Sequence, residues 1–324
     1  MKKLYPLFLS GVTKSPLWGG TRLPREWNKP APDGTTVGES WELTVRQKEM
    51  STVQNGNLAG VTVGKLLRDC PDEMMGKTAT KGSEFPLLIK FIDAADRLSV
   101  QVHPDDSYAA RVENDRGKTE MWYIVDADED AEIICGLTDG FDNAAFVSAL
   151  ERGELMSALK VQKVKAGETY FIPAGLPHAI GKGILIAEIQ QNCDLTYRVY
   201  DYDRRGADGS LRELHIDKAC DVIRPFREAE IDAIRYSRGL PTSRERVLAD
   251  CDYFRVEKLE LRRKPQMLAH NGYLRHLLCV AGEGVIECDG TAYPFGRGDS
   301  ILLPACLNAV SLTGIATVLI STAY

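Results

Sequence analysis

Apolar positions in this chain mostly alternate with polar ones or gather in short β-branched runs broken by Gly and Pro, a pattern of strands rather than long helices. The runs are FPLLIKFIDA, LSVQVH, MWYIVDA, AEIICGL, ETYFIPA and ILIAEIQQ, followed later by FRVEKLEL, RHLLCVA, GVIECDG, DSILLPA and ATVLIST. Many short strands at regular spacing predict a mainly β protein of sandwich or barrel type. Apolar residues three to four apart predict helices at VGKLLRD, residues 104–116, FDNAAFVSALERG and HIDKACDVI. These read as insertions on a β framework.

Part of the pattern occurs twice. KAGETYFIPAGLPH sets Gly167, five residues, Pro173, one residue, Gly175, two residues and then His178. GDSILLPACLNA repeats the spacing from Gly298 to Pro304, with Cys306 where Gly175 stood and Ala309 where His178 stood. Upstream of the first copy, MWYIVDADEDAEIICG reads as a hairpin-like pair of strands; upstream of the second lies HLLCVAGEGVIECDG, with Arg275 as the rough equivalent of Glu120. Residues 226–246 are charged and contain a Gly-Leu-Pro turn, which suits a connection between units. The expectation is two tandem barrels: residues 1–235 with helical insertions, and residues 236–324 as a smaller barrel without metal ligands.

Composition narrows the partners. A length of 324 residues permits two cores, and a net charge of −6 without a Lys/Arg run argues against nucleic acid or an anionic membrane. A small molecule is the expected partner; monomer and homo-oligomer both fit. The start MKKLYPLFLSGVTK is interrupted by Pro6 and lacks a small-residue cleavage pattern, and no segment reaches the roughly 20 apolar residues of a membrane span. Eight scattered cysteines without a CxxC suit a reducing compartment, so a cytoplasmic protein is expected.

Five histidines can be taken in turn. In SVQVHPDD, Gln101 and His103 are two apart and share one face of a strand. Pro104 ends that strand, and Asp105 and Asp106 suit the first turn of a helix. The chain then returns at GKTEMWYIV, where Glu120 begins the next strand, and His178 projects from the Pro-Gly turn. A strand histidine alone is more often packed than ligating. Gln101, His103, Glu120 and His178 together form a set of two imidazoles, a carboxylate and an amide that fits zinc first, with Fe2+ or Mn2+ also compatible. Lacking a thiolate, such a site keeps a position open for catalysis. His215, His270 and His276 have no such company.

Along its whole length the chain resembles the cupin superfamily, and within it the type I mannose-6-phosphate isomerases of the short bacterial form. The resemblance rests on Trp18-Gly19-Gly20, GESWEL, FPLLIKFIDA, LSVQVHPDD, GKTEMWYIV and, most specifically, FIPAGLPHAIGKG and EIQQNCDLTYRVYDYDR. It implies two jelly-roll barrels and a catalytic zinc on Gln101, His103, Glu120 and His178, Gln101 replacing the first His of the usual HxH. It also implies active-site roles for Arg198 and Lys118, and a site-facing carboxylate at Glu188. Arg198 and Lys118 would contact a sugar phosphate. The implied reaction interconverts mannose 6-phosphate and fructose 6-phosphate by proton transfer through a metal-stabilised enediol(ate). Three alternatives stay open at this point: an isomerase of another sugar phosphate, an iron cupin oxygenase, and a sugar-binding cupin without turnover.

Overall fold

A computed structural model describes residues 4–31, 36–46, 49–78, 85–206, 208–241 and 243–324. Strands dominate it. A six-stranded sheet runs Thr169–Ile172, Glu120–Ala127, Ile184–Gln191, Leu87–Ala94, Glu39–Leu43, Val12–Lys14. Facing it, a five-stranded sheet runs Leu159–Lys163, Glu132–Leu137, His178–Ile180, Val100–Val102, Tyr197–Tyr200. Trp122, Ile124, Ile186 and Ile92 from the first sheet meet Ile133 and Ile180 from the second in one apolar cluster, which fills the space between them. The C-terminal sheet is nine-stranded, and the strand that opens the described chain, Leu7–Ser10, belongs to it by pairing with Ser300–Leu303.

The largest apolar cluster lies between the barrels rather than inside either. It joins Ile89, Phe91, Met121, Tyr123, Phe171 and Ala187 of the six-stranded sheet to Phe254, Val256, Leu278, Leu302 and Leu319 of the C-terminal sheet. Phe171 and Phe254 meet there with ring centroids 6.4 Å apart. Consequently the strands Leu87–Ala94 and Ile184–Gln191 are buried on both faces, one against the second barrel and one toward the interior of the first. Such strands read as continuous apolar runs, as they do in the sequence. A polar side chain in one of them has no route to bulk water except through the barrel interior.

Several sequence expectations need refinement. Helices form at Val63–Asp69, Asp106–Val112, Asn143–Glu151 and Ile216–Val222. The second is shorter than the expected 104–116 because Asp105 caps it, accepting a hydrogen bond from the Tyr108 N–H at 2.8 Å, and Asn114 at φ 53° turns the chain beyond it. The supposed hairpin MWYIVDADEDAEIICG is a corner instead. Glu120–Ala127 lies in the six-stranded sheet and Glu132–Leu137 in the five-stranded one, and the chain crosses between them at residues 128–131, where Asp130 adopts φ 65°. In the second unit the equivalent runs RHLLCVA and GVIECDG are a single strand, Arg275–Cys288. The charged 226–246 segment contains a helix, Glu228–Arg235, docked through Ile231 and Ile234. Two apolar residues three apart suffice to anchor it, a signal hidden by the surrounding charge.

The repeat is visible in the backbone. Gly167 and Gly298 share φ near 90° (90° and 91°), and the register pairs Glu120 with Ile172 as it pairs Arg275 with Leu303. No described helix is long and apolar enough to cross a membrane. Cys70, Cys135, Cys193, Cys220, Cys251, Cys279 and Cys306 are outside any disulfide.

The shared core yields a test. Phe254→Ala should cost about 3–5 kcal/mol in denaturant unfolding, and both barrels of the parent protein should unfold in one transition. Two separate transitions would contradict a common core.

Candidate metal centre

His103 follows the short Val100–Val102 strand and is held where Pro104 stops the pairing. Its carbonyl accepts a hydrogen bond from the Gly175 N–H at 2.8 Å, which ties the His103 segment to the turn that presents His178. Gly175 sits at φ 92°, and a Cβ there would come within 2.9 Å of the Val222 carbonyl oxygen, so the turn requires glycine. Glu120 begins its strand after the Lys118 N–H donates to the Pro104 carbonyl at 3.0 Å, closing the helical excursion beside the strand it left.

These local constraints converge. His103 Nε2 stands 3.2 Å from Glu120 Oε1, and His178 Nε2 stands 3.9 Å from Glu120 Oε2. The ligand atoms of His103, Glu120 and His178 all lie within 4.8 Å of one another, and the three side chains are buried. His178 Nδ1–H donates to the Leu176 carbonyl at 2.8 Å, fixing the tautomer and directing the Nε2 lone pair into the cluster. Gln101 completes the group, its amide Nε2 lying 3.3 Å from His178 Nε2. All four predicted ligands are therefore together.

His103 Nδ1 is buried without a hydrogen-bond partner, and His103 Nε2 faces only the Glu120 carboxylate, whose Oε1 also meets Lys118 Nζ at 3.0 Å. Leaving a buried ring nitrogen unsatisfied costs about 1–3 kcal/mol. A divalent cation accepts lone pairs from imidazole and carboxylate alike, so the residues present fit a metal.

The charges around the cluster are arranged in opposition. Burial and the Lys118 charge depress His103 to about 3, against the pull of Glu120, and burial lowers His178 as well, so both imidazoles are neutral. Burial alone would raise Glu120, but Lys118, with Nζ 3.0 Å from Oε1, holds it well below the ordinary carboxylate range. Lys118 is itself buried, yet Glu120 and Glu188 outweigh that cost and raise its pKa. Glu188 behaves otherwise: burial and the nearby Glu120 charge push it up to about 7. Its Oε1 accepts the Trp122 Nε1–H at 2.9 Å, and the same indole N–H lies 3.2 Å from Glu120 Oε2.

Arg198 follows from strand pairing. His178 is directly opposite Gln101, and Gln101 is directly opposite Arg198, so the three residues form one row across three adjacent strands. Paired residues project from the same face of a sheet. Gln101, Lys118, Glu188 and Arg198 line a common cavity of about 330 Å³. Asp201 pairs with Arg204 at 2.8 Å and Arg212 at 3.5 Å, while Arg198 Nη1 donates to the Glu213 carbonyl and Nε has no partner. Lys118 and Glu188 are both buried, so neither is a solvated surface residue.

The cavity also contains residues the sequence reading passed over. Lys90 lies 3.6 Å from Glu39 and 3.7 Å from Glu188, beneath the Trp41 ring at 4.9 Å, and Arg212 lines the outer part. Lys90 was legible as a charged residue inside the apolar run FPLLIKFIDA. Arg212 stands in a loop with no periodic pattern to flag it.

Comparison with known proteins places this geometry. Residues 7–147 match the model of the type I phosphomannose isomerase catalytic domain, and residues 244–323 match that of the mannose-6-phosphate isomerase cupin domain. The chain is 40% identical over 319 residues to mannose-6-phosphate isomerase ManA of Bacillus subtilis, covering 98% of each. The chain belongs to the type I phosphomannose isomerase family. A second family member, mannose-6-phosphate isomerase of Streptococcus mutans, is 38% identical over 310 residues, 95% of each chain. The crystal structure of the Bacillus subtilis mannose 6-phosphate isomerase superposes with TM-score 0.86 at 34% identity, covering 98% of this chain and 99% of that one. The fold is thus mainly β and of cupin type, as the family resemblance implied.

Neutral buried histidines set a pH dependence. Unfolded, His103 takes up a proton near 6.5; folded, it does so only near 3, so stability is lost as pH falls through that interval. In chelator-treated protein the slope should approach about 1.4 kcal/mol per pH unit per histidine. Urea unfolding between pH 7 and 4 measures it, and His103→Gln should flatten the slope; an unchanged slope would mean that His103 is accessible to protons in the fold.

Proposed function

We propose that this chain interconverts mannose 6-phosphate and fructose 6-phosphate, with a single divalent ion, zinc first, on Gln101, His103, Glu120 and His178. The observation that carries the reading is the buried His103, Glu120 and His178 cluster set against a cavity lined by Gln101, Lys118, Glu188 and Arg198, to which Lys118 (3.0 Å from Glu120) and Gln101 (3.3 Å from His178) connect it. Gln101 would use its amide oxygen, which a half-turn of the amide exchanges with the nitrogen. Held there, the ion supplies Lewis-acid polarisation of the sugar carbonyl and stabilisation of negative charge.

The protein's own groups account for the rest. Aldose-to-ketose conversion removes the proton on C2, delivers a proton to C1, and moves the hydroxyl proton from O2 to O1. No oxidant is needed. Glu188, poised near neutrality by burial and anchored by Trp122, is suited to take and return the carbon-bound proton. Lys118, kept cationic beside Glu120, is suited to bind a substrate oxygen or assist ring opening. Arg198 presents a planar fork with an unpartnered Nε toward negative charge on the substrate. The apolar core behind both sheets keeps bulk water from Lys118 and Glu188, which are buried.

The same reading assigns residues 1–235 to the catalytic unit and residues 236–324 to a metal-free barrel, in which Arg275 and Ala309 stand in the places of Glu120 and His178. Scattered cysteines without a CxxC suit a cytoplasmic protein.

Turnover of mannose 6-phosphate, followed by coupled assay or NMR beside elemental analysis of the same preparation, tests the proposal. His178→Ala should lose metal and activity together. Arg198→Ala should keep its metal and lose roughly 10²–10³-fold in kcat/KM, the scale of a removed charge-stabilising donor. Turnover should proceed without oxygen consumption. A metal-replete, pure protein that converts neither sugar phosphate would falsify the reading, and undiminished metal in His178→Ala would remove that ligand from the assignment.

A further inference from the structure

The cations of the cavity are not equally committed. Lys118 is 3.0 Å from Glu120, and Lys90 is surrounded by Glu39, Glu188 and Asp194 at 3.6, 3.7 and 3.9 Å. Their charge is answered within the protein. At the other end stand Arg198 and Arg212, and among the described residues the only carboxylate paired with either is Asp201, 3.5 Å from Arg212 and already engaged by Arg204 at 2.8 Å. Positive charge is therefore in surplus at the Arg198 and Arg212 end.

The two guanidiniums also bear on each other. After burial, the strongest influence lowering the pKa of Arg198 is the charge of Arg212. Arg198 Nε is buried without a partner, and Arg212 is about a third exposed (32%) where it lines the cavity. Like charges brought together at a half-buried cavity wall, with donors left over, are stabilised by a multivalent anion. Arg198 lies one strand from Gln101 and two from His178, so its Cα is about 10 Å from that of the ligand. Arg212 belongs instead to the 201–215 loop, whose arms bridge at Arg205 and Leu211. Carbons 1 and 2 of the sugar belong at the ligand cluster, and its phosphate belongs at the far end.

We propose that Arg212, together with Arg198, grips the phosphate of the substrate and is the residue that selects phosphorylated over free sugars. Asp201 positions it, holding the guanidinium at the cavity edge from a buried site. This assignment rests on the isomerase reading above and adds to it a phosphate-binding residue. Arg212 contributes binding that is uniform between ground state and transition state, so its signature is in KM rather than kcat.

The full-length, zinc-loaded protein and its Arg212→Ala and Arg212→Lys variants are compared in mannose 6-phosphate turnover and in competitive inhibition by inorganic phosphate. Elemental analysis and phosphate-dependent thermal shift complete the comparison. Arg212→Ala should raise KM and the phosphate inhibition constant together by roughly 10- to 100-fold, the range of a lost charge-assisted pair, with kcat within about threefold and zinc unchanged. Arg212→Lys should recover part of the loss, a point charge replacing the fork. Unchanged KM and inhibition constant in Arg212→Ala overturn the proposal while leaving the isomerase reading intact; so does a joint loss of kcat and zinc, which would make Arg212 structural. A protein that never turns over sugar phosphate, yet shows a phosphate thermal shift abolished by Arg212→Ala, would sink the isomerase reading and keep the anion site.

Discussion

A carboxylate buried at the first residue of a strand, Glu120, is the constraint around which the catalytic barrel is organised. Its charge is removed from water, an expense of several kcal/mol unless counter-charges and donors surround it. Lys118 supplies the counter-charge from two residues upstream, Trp122 supplies an N–H from two residues downstream, and His103 and His178 bring ring nitrogens from two other segments. With both imidazoles neutral, the protein itself leaves the carboxylate and the two lone-pair donors facing one another. That arrangement suits a divalent cation.

The second barrel makes this burial possible. Because it covers the outer face of the six-stranded sheet, Leu87–Ala94 and Ile184–Gln191 are enclosed on both sides, and Lys90 and Glu188 have nowhere to project but into the cavity. A charged side chain so placed cannot relax toward solvent, which fixes its position and shifts its proton affinity. The C-terminal unit therefore acts on the site through packing. It retains the turn geometry of its counterpart at Gly298 while carrying Arg275 at the register position of Glu120.

What the sequence disclosed and what it withheld follow from the same physics. Gln101, His103, Glu120 and His178 were legible because each sits at a backbone feature with its own signature: a strand stopped by Pro104, a strand begun after a capped helix, a turn built on Gly175. Arg198 was legible only through the family resemblance, and its place beside Gln101 became visible once the strands were paired. The corner at residues 128–131 resembled a hairpin because turn residues between two apolar runs look alike whether the runs pair with each other or with different sheets. Arg212 carries no local pattern, since its meaning lies in a cavity formed by residues far away in the chain.

The proposed divalent ion would be held by nitrogen and oxygen donors of four side chains drawn from distant segments. X-ray absorption spectroscopy on the zinc-loaded protein tests this most directly. The expected shell contains only nitrogen and oxygen scatterers at about 2.0–2.2 Å, with the outer-shell signature of two imidazoles. A sulfur scatterer near 2.3 Å, or a shell without imidazole, would contradict it.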